Sequence, residues 1–323
     1  MKALVYTGPE AMELREVPDP AVPEGHHLVR IKASGICGSD MHAFLGHDDR
    51  RPAPLILGHE AAGTVVGGPM DGVRVTINPL VTCGACRSCL EGRDNLCVRR
   101  QIISMPPREG AFADMVAMPE RNLVPIPDGF GTARAALAEP IACGWHAVRL
   151  GLERHPARGA LVIGGGAICV GAALSLLAQG VERVALHEPN AIRRAALATL
   201  EGVAVGAPQE TPGAFDIVVD GVGYDSTRAA ACAAVRPGGT ILHIGLGGGA
   251  GGLDLRRMTL QEIAFVGTYT YTAADFRATV AAMADGRLGP LDWTETRPLA
   301  EGARAFADIR AGRVAAPKII LEP

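Results

Sequence analysis

The sequence predicts an α/β protein with two domains, a β-rich domain formed mainly by the first third and a doubly wound parallel sheet after it. The chain has 323 residues, a length typical of about two domains. Short β-type runs broken by Pro and Gly fill the first third, whereas short apolar strands alternate with helices from Ala160 onward. Apolar residues make up 48% and charged residues 20%, so the composition is that of a folded chain.

The β-rich part is predicted from runs such as Leu28–Ile31, Gly63–Val66 and Val73–Ile77. Because turn residues bound these runs closely, they favour a compact antiparallel domain over βα alternation. An Ala-rich helix over Ala133–Leu150 follows. Pro140 is expected in an early turn of this helix or at a break between two helices.

The alternating part begins with a buried strand at Ala160–Ile163. The further predicted elements are helix Ile168–Ala178, strand Arg183–Leu186, helix Ile192–Leu200, strand Asp216–Asp220, helix Thr227–Val235 and strand Thr240–Ile244. Short apolar strands separated by helices imply a parallel sheet. Gly247–Gly252 is interpreted as a flexible loop. The tail predicts helices at Phe276–Asp285 and Ala303–Arg310 and a last strand at Lys318–Leu321.

Charge and hydropathy argue against nucleic acid and membranes as partners. Lys and Arg total 31 against 34 Asp and Glu, so no strong basic field exists to attract polyanions. The uncharged segment Ala160–Val181 is long enough to cross a bilayer. Its glycine cluster Gly164–Gly166 favours a strand, a turn and a helix instead.

Four of the eight cysteines lie in one short loop, as Cys83, Cys86, Cys89 and Cys97. Four thiolates with two-residue spacers can close a tetrahedral zinc site, and such a site leaves no position for substrate and is structural. An iron–sulfur cluster and disulfides are the alternatives. Because the sequence starts without a signal-peptide pattern, we expect a reducing compartment, the cytoplasm.

A second set of potential metal ligands is dispersed along the chain: Cys37, His59, Glu60 and Glu139. One Cys, one His and one carboxylate could hold zinc with a position open for substrate, as catalytic zinc sites require. Taken separately, each residue is weak evidence, since a lone Cys is more often a buried packing residue.

A third signal is a glycine turn between a predicted strand and a predicted helix. Gly164 and Gly166 fit the first two glycines of a dinucleotide fingerprint, while Cys169 occupies the place of the third. Glu188 closes the next strand, where a carboxylate can bind ribose hydroxyls and would repel the extra phosphate of NADP. NAD is therefore favoured over NADP, although Arg193 lies close by in the sequence.

These residues together resemble the zinc-dependent medium-chain dehydrogenase/reductase family over nearly the whole chain, most of all its sorbitol (polyol) and threonine dehydrogenase branch. The matching stretches are Gly35-Ile36-Cys37-Gly38-Ser39-Asp40, Gly58-His59-Glu60, the four-cysteine loop, Ala138-Glu139-Pro140, the glycine turn and Pro237-Gly238-Gly239. The resemblance implies a GroES-like catalytic domain (1–138 and 272–323) and a Rossmann dinucleotide-binding domain (139–271). The active site would lie in the cleft between them.

The resemblance also implies roles for individual residues. Cys37, His59 and Glu139 would bind a catalytic zinc, with Glu60 as a neighbouring carboxylate or an alternative ligand. Asp40 would orient His59 through its second ring nitrogen. Ser39 and His42 would carry the proton of the substrate outward. The expected cofactor contacts are Gly164, Gly166, Ile168, Glu188, Arg193 and Gly245.

The sequence departs from this family where the substrate would be recognised. Polyol-specific members carry a Gly-x-x-Arg-Tyr pattern, whereas this chain has Thr270 in place of the arginine. His47, Asp48, Arg50 and Arg51 could contact a polar substrate instead, but a solvated loop is slightly favoured for them. Cys169, at the third fingerprint position, is a further departure.

The sequence thus predicts an NAD(P)-dependent dehydrogenase that oxidises a secondary alcohol of a polyol, sugar derivative or amino alcohol to a ketone. It would carry one catalytic and one structural zinc and form a homo-oligomer, a dimer or a tetramer. A zinc-free quinone or enone reductase of the same superfamily is one alternative, and a non-catalytic dinucleotide-binding protein is another.

Overall fold

The change of sequence texture is matched by a division of the chain into two units. The structure is a computed structural model that describes all 323 residues. The first unit comprises Met1–Glu139, Thr272–Ala284 and Leu291–Pro323. The second unit comprises Pro140–Tyr271 and Asp285–Pro290.

The first part of the chain forms ten strands and the first four helices. They are β1 (Lys2–Gly8), β2 (Ala11–Glu16), β3 (His26–Gly35), α1 (Gly38–Phe44), β4 (Leu55–Ile56), β5 (Glu60–Val66), β6 (Arg74–Ile77), β7 (Leu80–Val81), α2 (Arg87–Leu90), β8 (Gln101–Ile102), β9 (Met115–Pro119), β10 (Leu123–Pro125), α3 (Thr132–Ala135) and α4 (Ala138–Leu152). The strands pair mainly in antiparallel fashion, as the short runs predict.

The second unit holds one six-stranded sheet. Its elements are β11 (Gly159–Ile163), α5 (Ala167–Ala178), β12 (Arg183–His187), α6 (Ala191–Leu197), β13 (Val203–Gly206), β14 (Phe215–Asp220), α7 (Asp225–Ala234), β15 (Val235–His243), α8 (Leu255–Leu260) and β16 (Ala264–Gly267). All neighbours are parallel, in the order β13-β12-β11-β14-β15-β16. The strand order reverses between β11 and β14, which makes this the doubly wound dinucleotide-binding topology.

The tail returns to the first unit as α9 (Ala273–Ala284), β17 (Thr294–Pro298), α10 (Gly302–Arg310) and β18 (Lys318–Glu322). β18 pairs antiparallel with the end of β3, where Ile320 faces Gly35. The main sheet of this unit has the order β10-β6-β5-β3-β18-β17, and β9 also pairs with β3. The last strand therefore lies beside the residues that lead into Cys37.

Two cores support the first unit. One lies around the rings of Phe44, Phe112 and Phe306, whose centroids are 5.1 Å (Phe44 to Phe306) and 6.0 Å (Phe112 to Phe306) apart. The other lies beneath β3, β5 and β6 and includes Val29 and Ile77, both fully buried. Strands that alternate buried and exposed side chains need such a core on one face only.

The structure refines several predicted elements. The helix predicted over 133–150 is two helices, because the chain breaks at residues 136–137, and Pro140 lies in the first turn of α4, where its missing N–H costs nothing. The short strands β13 and β16 at the two edges of the parallel sheet were not predicted. Segment 160–181 forms β11, a turn and α5, and none of the helices is both long and apolar enough to cross a bilayer.

Candidate active site

The loop before α1 and the loop before β5 meet around the carboxylate of Asp40. Its Oδ2 accepts a hydrogen bond from the Cys37 backbone N–H (3.0 Å), and its Oδ1 accepts bonds from the Gly58 N–H and the Ser104 hydroxyl (3.3 Å each). The same Oδ1 lies 3.3 Å from His59 Nδ1. Asp40 therefore fixes the position of Cys37 by a hydrogen bond and faces the His59 ring at ion-pair distance, where a carboxylate can support a metal-binding histidine.

Charge coupling between Asp40 and His59 agrees with this geometry. Burial disfavours the charged form of Asp40, but His59 and then Arg51 outweigh burial and lower the pKa of Asp40 to about 2. Burial tends to lower the pKa of His59. The charges of Asp40 and Cys37 outweigh burial and raise this pKa well above 6.5. The imidazole thus lies beside Asp40 and Cys37, two groups that favour a positive charge on it.

Three potential metal ligands converge here. One donor atom from each of Cys37, His59 and Glu60 lies within 4.8 Å of the other two. Glu60 is fully buried, and its Oε2 has no hydrogen-bond partner, while its Oε1 accepts a 2.6 Å bond from Lys318 Nζ. Gly35 leaves the room for this carboxylate, because a side chain there would collide with it.

The donor set fits zinc. Sulfur, imidazole nitrogen and carboxylate oxygen are ligands that zinc takes at about 2.0–2.3 Å, and a three-residue set leaves a fourth position for substrate. The buried, unpartnered Glu60 Oε2 beside Cys37 and His59 is an atom that a cation would satisfy. Glu139, the carboxylate ligand that the family resemblance implies, is buried but does not belong to this close set.

Sequence reasoning missed Lys318 at this centre. Its side chain is 4% exposed, and its ammonium donates to the Ile36 carbonyl (2.7 Å) as well as to Glu60. Burial would lower its pKa, but Glu60, Cys37 and Glu139 together raise it above 10.5, so Lys318 stays charged. A lone lysine at the start of the buried run Lys-Ile-Ile-Leu was the available signal.

Ser39 and His42 lie on α1 beside this centre. The Ser39 hydroxyl is 3.4 Å from His59 Nε2. His42 follows three positions later, on the same helical face, and is exposed. Of the two predicted proton-relay residues, Ser39 is thus in contact with the ligand set.

Arg51 is not part of a solvated loop. Its side chain is 2% exposed, and it donates to the Ser104 carbonyl (2.9 Å) and to Asp48 Oδ2 (2.6 Å). The neighbouring Arg50, by contrast, is 67% exposed. Arg51 is thus buried and donates to the backbone of Ser104, whose hydroxyl in turn donates to Asp40.

The four cysteines form a second, separate cluster in the same unit. The sulfurs of Cys83 and Cys97 and those of Cys86 and Cys89 are 3.5 Å apart, and Cys83 and Cys89 are 3.9 Å apart. A tetrahedral zinc with Zn–S bonds of about 2.3 Å requires sulfurs roughly 3.8 Å apart, whereas a disulfide requires about 2.05 Å. All four are free thiols, so the geometry fits a metal and excludes disulfides.

Backbone amides and charge coupling also prepare this loop for a cation. The N–H groups of Ala85 and Cys86 donate to Cys83 Sγ, and with other contacts they lower the pKa of Cys83 to about 5. Burial, followed by the neighbouring sulfurs, raises the pKa of Cys89 to about 12. The four sulfurs therefore cannot all ionise unless a positive ion lies among them.

In the second unit, the glycine turn joins β11 to α5. Gly164 has φ +108°, a conformation open to glycine, and Gly166 caps α5 without a side chain. Ile168 is half-buried within the first turn of α5. The N-terminus of a 12-residue helix after such a turn is a binding position for pyrophosphate.

Cys169 is accommodated at the third fingerprint position. Its thiol donates to the Ile163 carbonyl (3.5 Å) and fills space that Gly164 and Gly221 leave free. Burial, the largest effect, raises its pKa to about 12, so the thiol stays neutral. The substitution therefore leaves the turn intact.

The other predicted cofactor residues lie around this turn. Glu188 is buried over Gly165, and its Oε1 accepts from the Asn190 N–H (2.7 Å). Arg193 lies close enough to Cys169 to influence its pKa, and the Arg193 Nε is buried without a hydrogen-bond partner. Gly245 is buried against the backbone of Val222.

A doubly wound dinucleotide domain together with a three-ligand centre and a closed four-cysteine centre defines a class of zinc-binding, nicotinamide-linked oxidoreductases. Two family models match the chain: an alcohol dehydrogenase GroES-like domain at residues 23–128 and a zinc-binding dehydrogenase domain at residues 170–285. The chain belongs to the zinc-dependent medium-chain dehydrogenase family, which confirms the resemblance and the fold class.

Individual relatives agree with this family. The chain is 30% identical to L-galactonate-5-dehydrogenase of Escherichia coli K12 over 311 residues, covering 89% of this chain and 88% of that one. It is 31% identical to sorbitol dehydrogenase of Arabidopsis thaliana over 78% of this chain and 76% of the other. Alcohol dehydrogenase TADH from Thermus sp. ATN1 superposes with a TM-score of 0.89 at 26% identity, over 100% of this chain and 99% of that one.

Proposed function

We propose that the protein catalyses the reversible, NAD-linked oxidation of a secondary alcohol to a ketone, with a polyol, a sugar acid or an amino alcohol as substrate. The observation that carries this proposal is the convergence of donor atoms from Cys37, His59 and Glu60, each within 4.8 Å of the others. The substrate classes come from relatives named for sorbitol and galactonate.

The protein would hold a catalytic zinc through Cys37 Sγ, His59 Nε2 and one carboxylate. Glu60 is the close carboxylate in this structure, and Glu139 is the ligand that the family resemblance implies. Zinc at this point would polarise the substrate hydroxyl and ease the loss of its proton, while the nicotinamide would take up the hydride. A second zinc in the four-cysteine loop would be structural.

The residues of the chain itself would manage the proton. Ser39, whose hydroxyl lies 3.4 Å from His59 Nε2, is placed to accept a proton released at the ligand set. The exposed His42, on the same face of α1, is placed to pass it to water. Asp40 and Lys318 would act through other residues: Asp40 holds His59, and Lys318 holds Glu60.

The preference for NAD follows from Glu188. Its buried carboxylate at the end of β12 would accept hydrogen bonds from ribose hydroxyls and repel a 2′-phosphate. Arg193, with an unpartnered Nε near the turn, would favour a phosphate on the cofactor. Glu188→Ser is expected to lower the kcat/KM ratio of NAD to NADP about tenfold or more.

The residue that would contact the rest of the substrate is Thr270. Thr270 stands where polyol-specific members carry arginine, in a left-handed conformation (φ +46°) with a buried hydroxyl that lacks a partner. Strained residues of this kind concentrate at binding sites. A hydroxyl group of the substrate would satisfy the Thr270 hydroxyl.

One experiment tests the whole proposal. Purified protein is assayed for NADH and NADPH formation with polyols, sugar acids, amino alcohols and simple alcohols, and for NADH and NADPH consumption with enones and quinones. Its zinc content is measured by mass spectrometry. We expect two zinc ions per chain and NADH formation with at least one secondary alcohol. No more than one zinc per chain, with turnover of enones or quinones instead, would contradict the proposal and favour the zinc-free reductase.

Two further expectations stay predictions. The family resemblance implies a homo-oligomer, a dimer or a tetramer, which light scattering of the purified protein measures. It also implies a cytoplasmic location, which cell fractionation measures.

A further inference from the structure

Two loops meet at the carboxyl ends of β14 and β15 in the second unit. The first loop is residues 221–224, and the second, here called the glycine loop, is residues 245–252. The Gly247 and Gly248 N–H groups donate to the carbonyls of Val222 (3.0 Å) and Gly223 (3.2 Å). Gly223 and Gly245 permit this approach, because a side chain on either would strike the backbone of the other loop.

The glycine loop has little to order it locally. Six of its eight residues are glycine, it contains no helix or strand, and Leu246 is exposed to solvent. Glycine loses more conformational freedom on ordering than any other residue. The sequence accordingly predicts a flexible loop here.

Besides those backbone hydrogen bonds, one side chain holds the glycine loop. Arg228, in α7, is 6% exposed, and its guanidinium donates to the carbonyls of Gly251 (2.6 Å), Gly223 (2.7 Å) and Gly248 (3.1 Å). The Asp225 carboxylate pairs with the same guanidinium. A single planar group thus ties both loops to α7, a geometry that the fork of arginine allows and that of lysine does not.

The first loop is held from the other side by Asp220, at the end of β14. This fully buried carboxylate accepts from the N–H groups of Val222 (3.0 Å) and Gly223 (2.9 Å) and from the Thr227 hydroxyl (3.1 Å). Asp220 and Arg228 therefore fix the first loop together. Only Arg228 reaches the glycine loop with a side-chain bond.

The hydrogen bonds of Arg228 to the two loops, here called the clamp, lie where a dinucleotide would bind. Dinucleotides bind across the carboxyl edge of a doubly wound sheet, with one nucleotide half on each side of the strand-order reversal. Glu188 follows β12, on one side, and is the ribose-binding candidate there. The glycine loop follows β15, on the other side, and the first loop adjoins the glycine turn because the Gly221 N–H reaches the Ile163 carbonyl (3.4 Å).

We propose that Arg228 is a positioning residue that holds the glycine loop in the conformation required by the nicotinamide half of the cofactor. This inference rests on the proposed NAD-linked function. Without the guanidinium, the glycine loop would have to be ordered at the moment of binding, and the ordering cost would weaken the affinity for the dinucleotide. The adenosine half, on the Glu188 side, would be unaffected.

The test compares two ligands. NADH contains both halves, whereas ADP-ribose lacks the nicotinamide, so ADP-ribose reports the adenosine half alone. Dissociation constants for both are measured by titration calorimetry on the intact protein with its zinc. The variants are Arg228→Met and Arg228→Lys, and the matched control is Arg236→Met. Arg236 is the second residue of β15, outside both loops, and pairs with Asp216.

We expect Arg228→Met to weaken NADH binding about 5- to 20-fold, while ADP-ribose binding changes less than about twofold. Arg228→Lys should restore part of the NADH affinity, since an ammonium can reach one or two of the carbonyls. Arg236→Met should change neither constant. Hydrogen exchange should become faster at Gly247 and Gly248 in Arg228→Met only.

Three results would overturn the inference. Equal weakening of NADH binding and ADP-ribose binding would show that the substitution disturbs the whole second unit. Unchanged NADH affinity would show that the contacts of Arg228 do not affect cofactor binding. Unchanged exchange at Gly247 and Gly248 would show that the loop is ordered without Arg228. Wild-type protein that binds neither ligand would contradict the proposed function itself, which is distinguishable from failure of the variants.

Discussion

The two candidate metal centres of the first unit are built in opposite ways. The four-cysteine centre comes from one loop, Cys83 to Cys97, in which four like ligands close around a point and backbone N–H groups support them. The other centre gathers three different ligands and depends on distant residues, among them Lys318, which lies 258 positions after Glu60. The comparison shows why one centre suits stability and the other suits chemistry.

A closed set of four sulfurs satisfies a metal completely and can only hold the chain together. A set of three leaves a position open, and its geometry must be maintained by groups that do not bind the metal. Here that support is Asp40 beside His59, Lys318 beside Glu60, and Arg51, which donates to the Ser104 carbonyl. Substituting the ligands in some variants and the supporting residues in others therefore tests this difference between the two centres.

The largest expected effect is on activity, from Cys37→Ser. Loss of the only sulfur ligand should reduce kcat/KM by about three orders of magnitude or more, because the polarisation of the substrate oxygen is lost. The melting temperature should change by no more than a few degrees, and zinc content should fall from two ions to one. Activity near the wild-type level would show that Cys37 is not at the reacting centre.

The second largest expected effect is a loss of stability in Cys83→Ser. This residue is only partly buried, so little packing is lost and the change reports mainly the metal. We expect the free energy of unfolding to fall by several kcal/mol, with specific activity of the folded fraction retained. Denaturant titration and zinc analysis measure this, with Ser88→Ala in the same loop as the control. An unchanged unfolding transition would contradict a structural metal there.

Much of this comparison was predictable from the sequence, but not all of it. The four-cysteine loop is recognisable because its ligands are neighbours in the chain. Cys37 and the pair His59 and Glu60 are recognisable as short motifs. Glu60 was foreseen as an alternative ligand beside His59. That it, rather than Glu139, lies close to Cys37 was not predictable, because this depends on the register of β5 against β3, which sets Glu60 opposite Gly35.

The same limit applies to two arginines. From the sequence, Arg51 was interpreted as a loop residue in contact with solvent or substrate. The glycine loop, which Arg228 holds in the structure, was interpreted as flexible. Both interpretations rest on local composition, whereas the partners of Arg51 include Ser104, 53 residues away, and those of Arg228 include Gly251, 23 residues away. Sequence patterns report local conformation well and distant hydrogen-bond partners poorly.

A smaller effect on activity and zinc retention is expected from Arg51→Met. It should be confined to the centre formed by Cys37, His59 and Glu60, here called the open centre. Removing the guanidinium leaves the Ser104 carbonyl and Asp48 buried without this donor, and Asp40 loses a favourable charge. We expect kcat/KM to fall about tenfold and a chelator to remove one of the two zinc ions faster. The four-cysteine zinc is the internal reference, since its release rate should not change.

Arg50→Met is the matched control for that experiment. Arg50 pairs with the same Asp48 but is exposed, so it should affect neither zinc release nor kcat/KM by more than about twofold. Faster release of both zinc ions in Arg51→Met would show that the variant loosens the whole unit. In that case Arg51 would not be a specific support of the open centre.

The smallest effect is a pH-dependent one, from Asp48→Asn. Burial opposes ionisation of Asp48, but Arg50 and then Arg51 lower its pKa to about 2, below the value of 3.8 expected in the unfolded chain. A lowered pKa means that ionised Asp48 stabilises the fold above about pH 4 and that this contribution disappears as the pH falls towards 2. The variant should therefore lose about 1–2 kcal/mol at pH 7 and about half of that difference near pH 3. Denaturant titrations at pH 7, 5 and 3 measure it, with the exposed Asp49→Asn as the control. A difference that is independent of pH would mean that Asp48 contributes through packing rather than charge, and the open centre would then lack an electrostatic support at its outer edge.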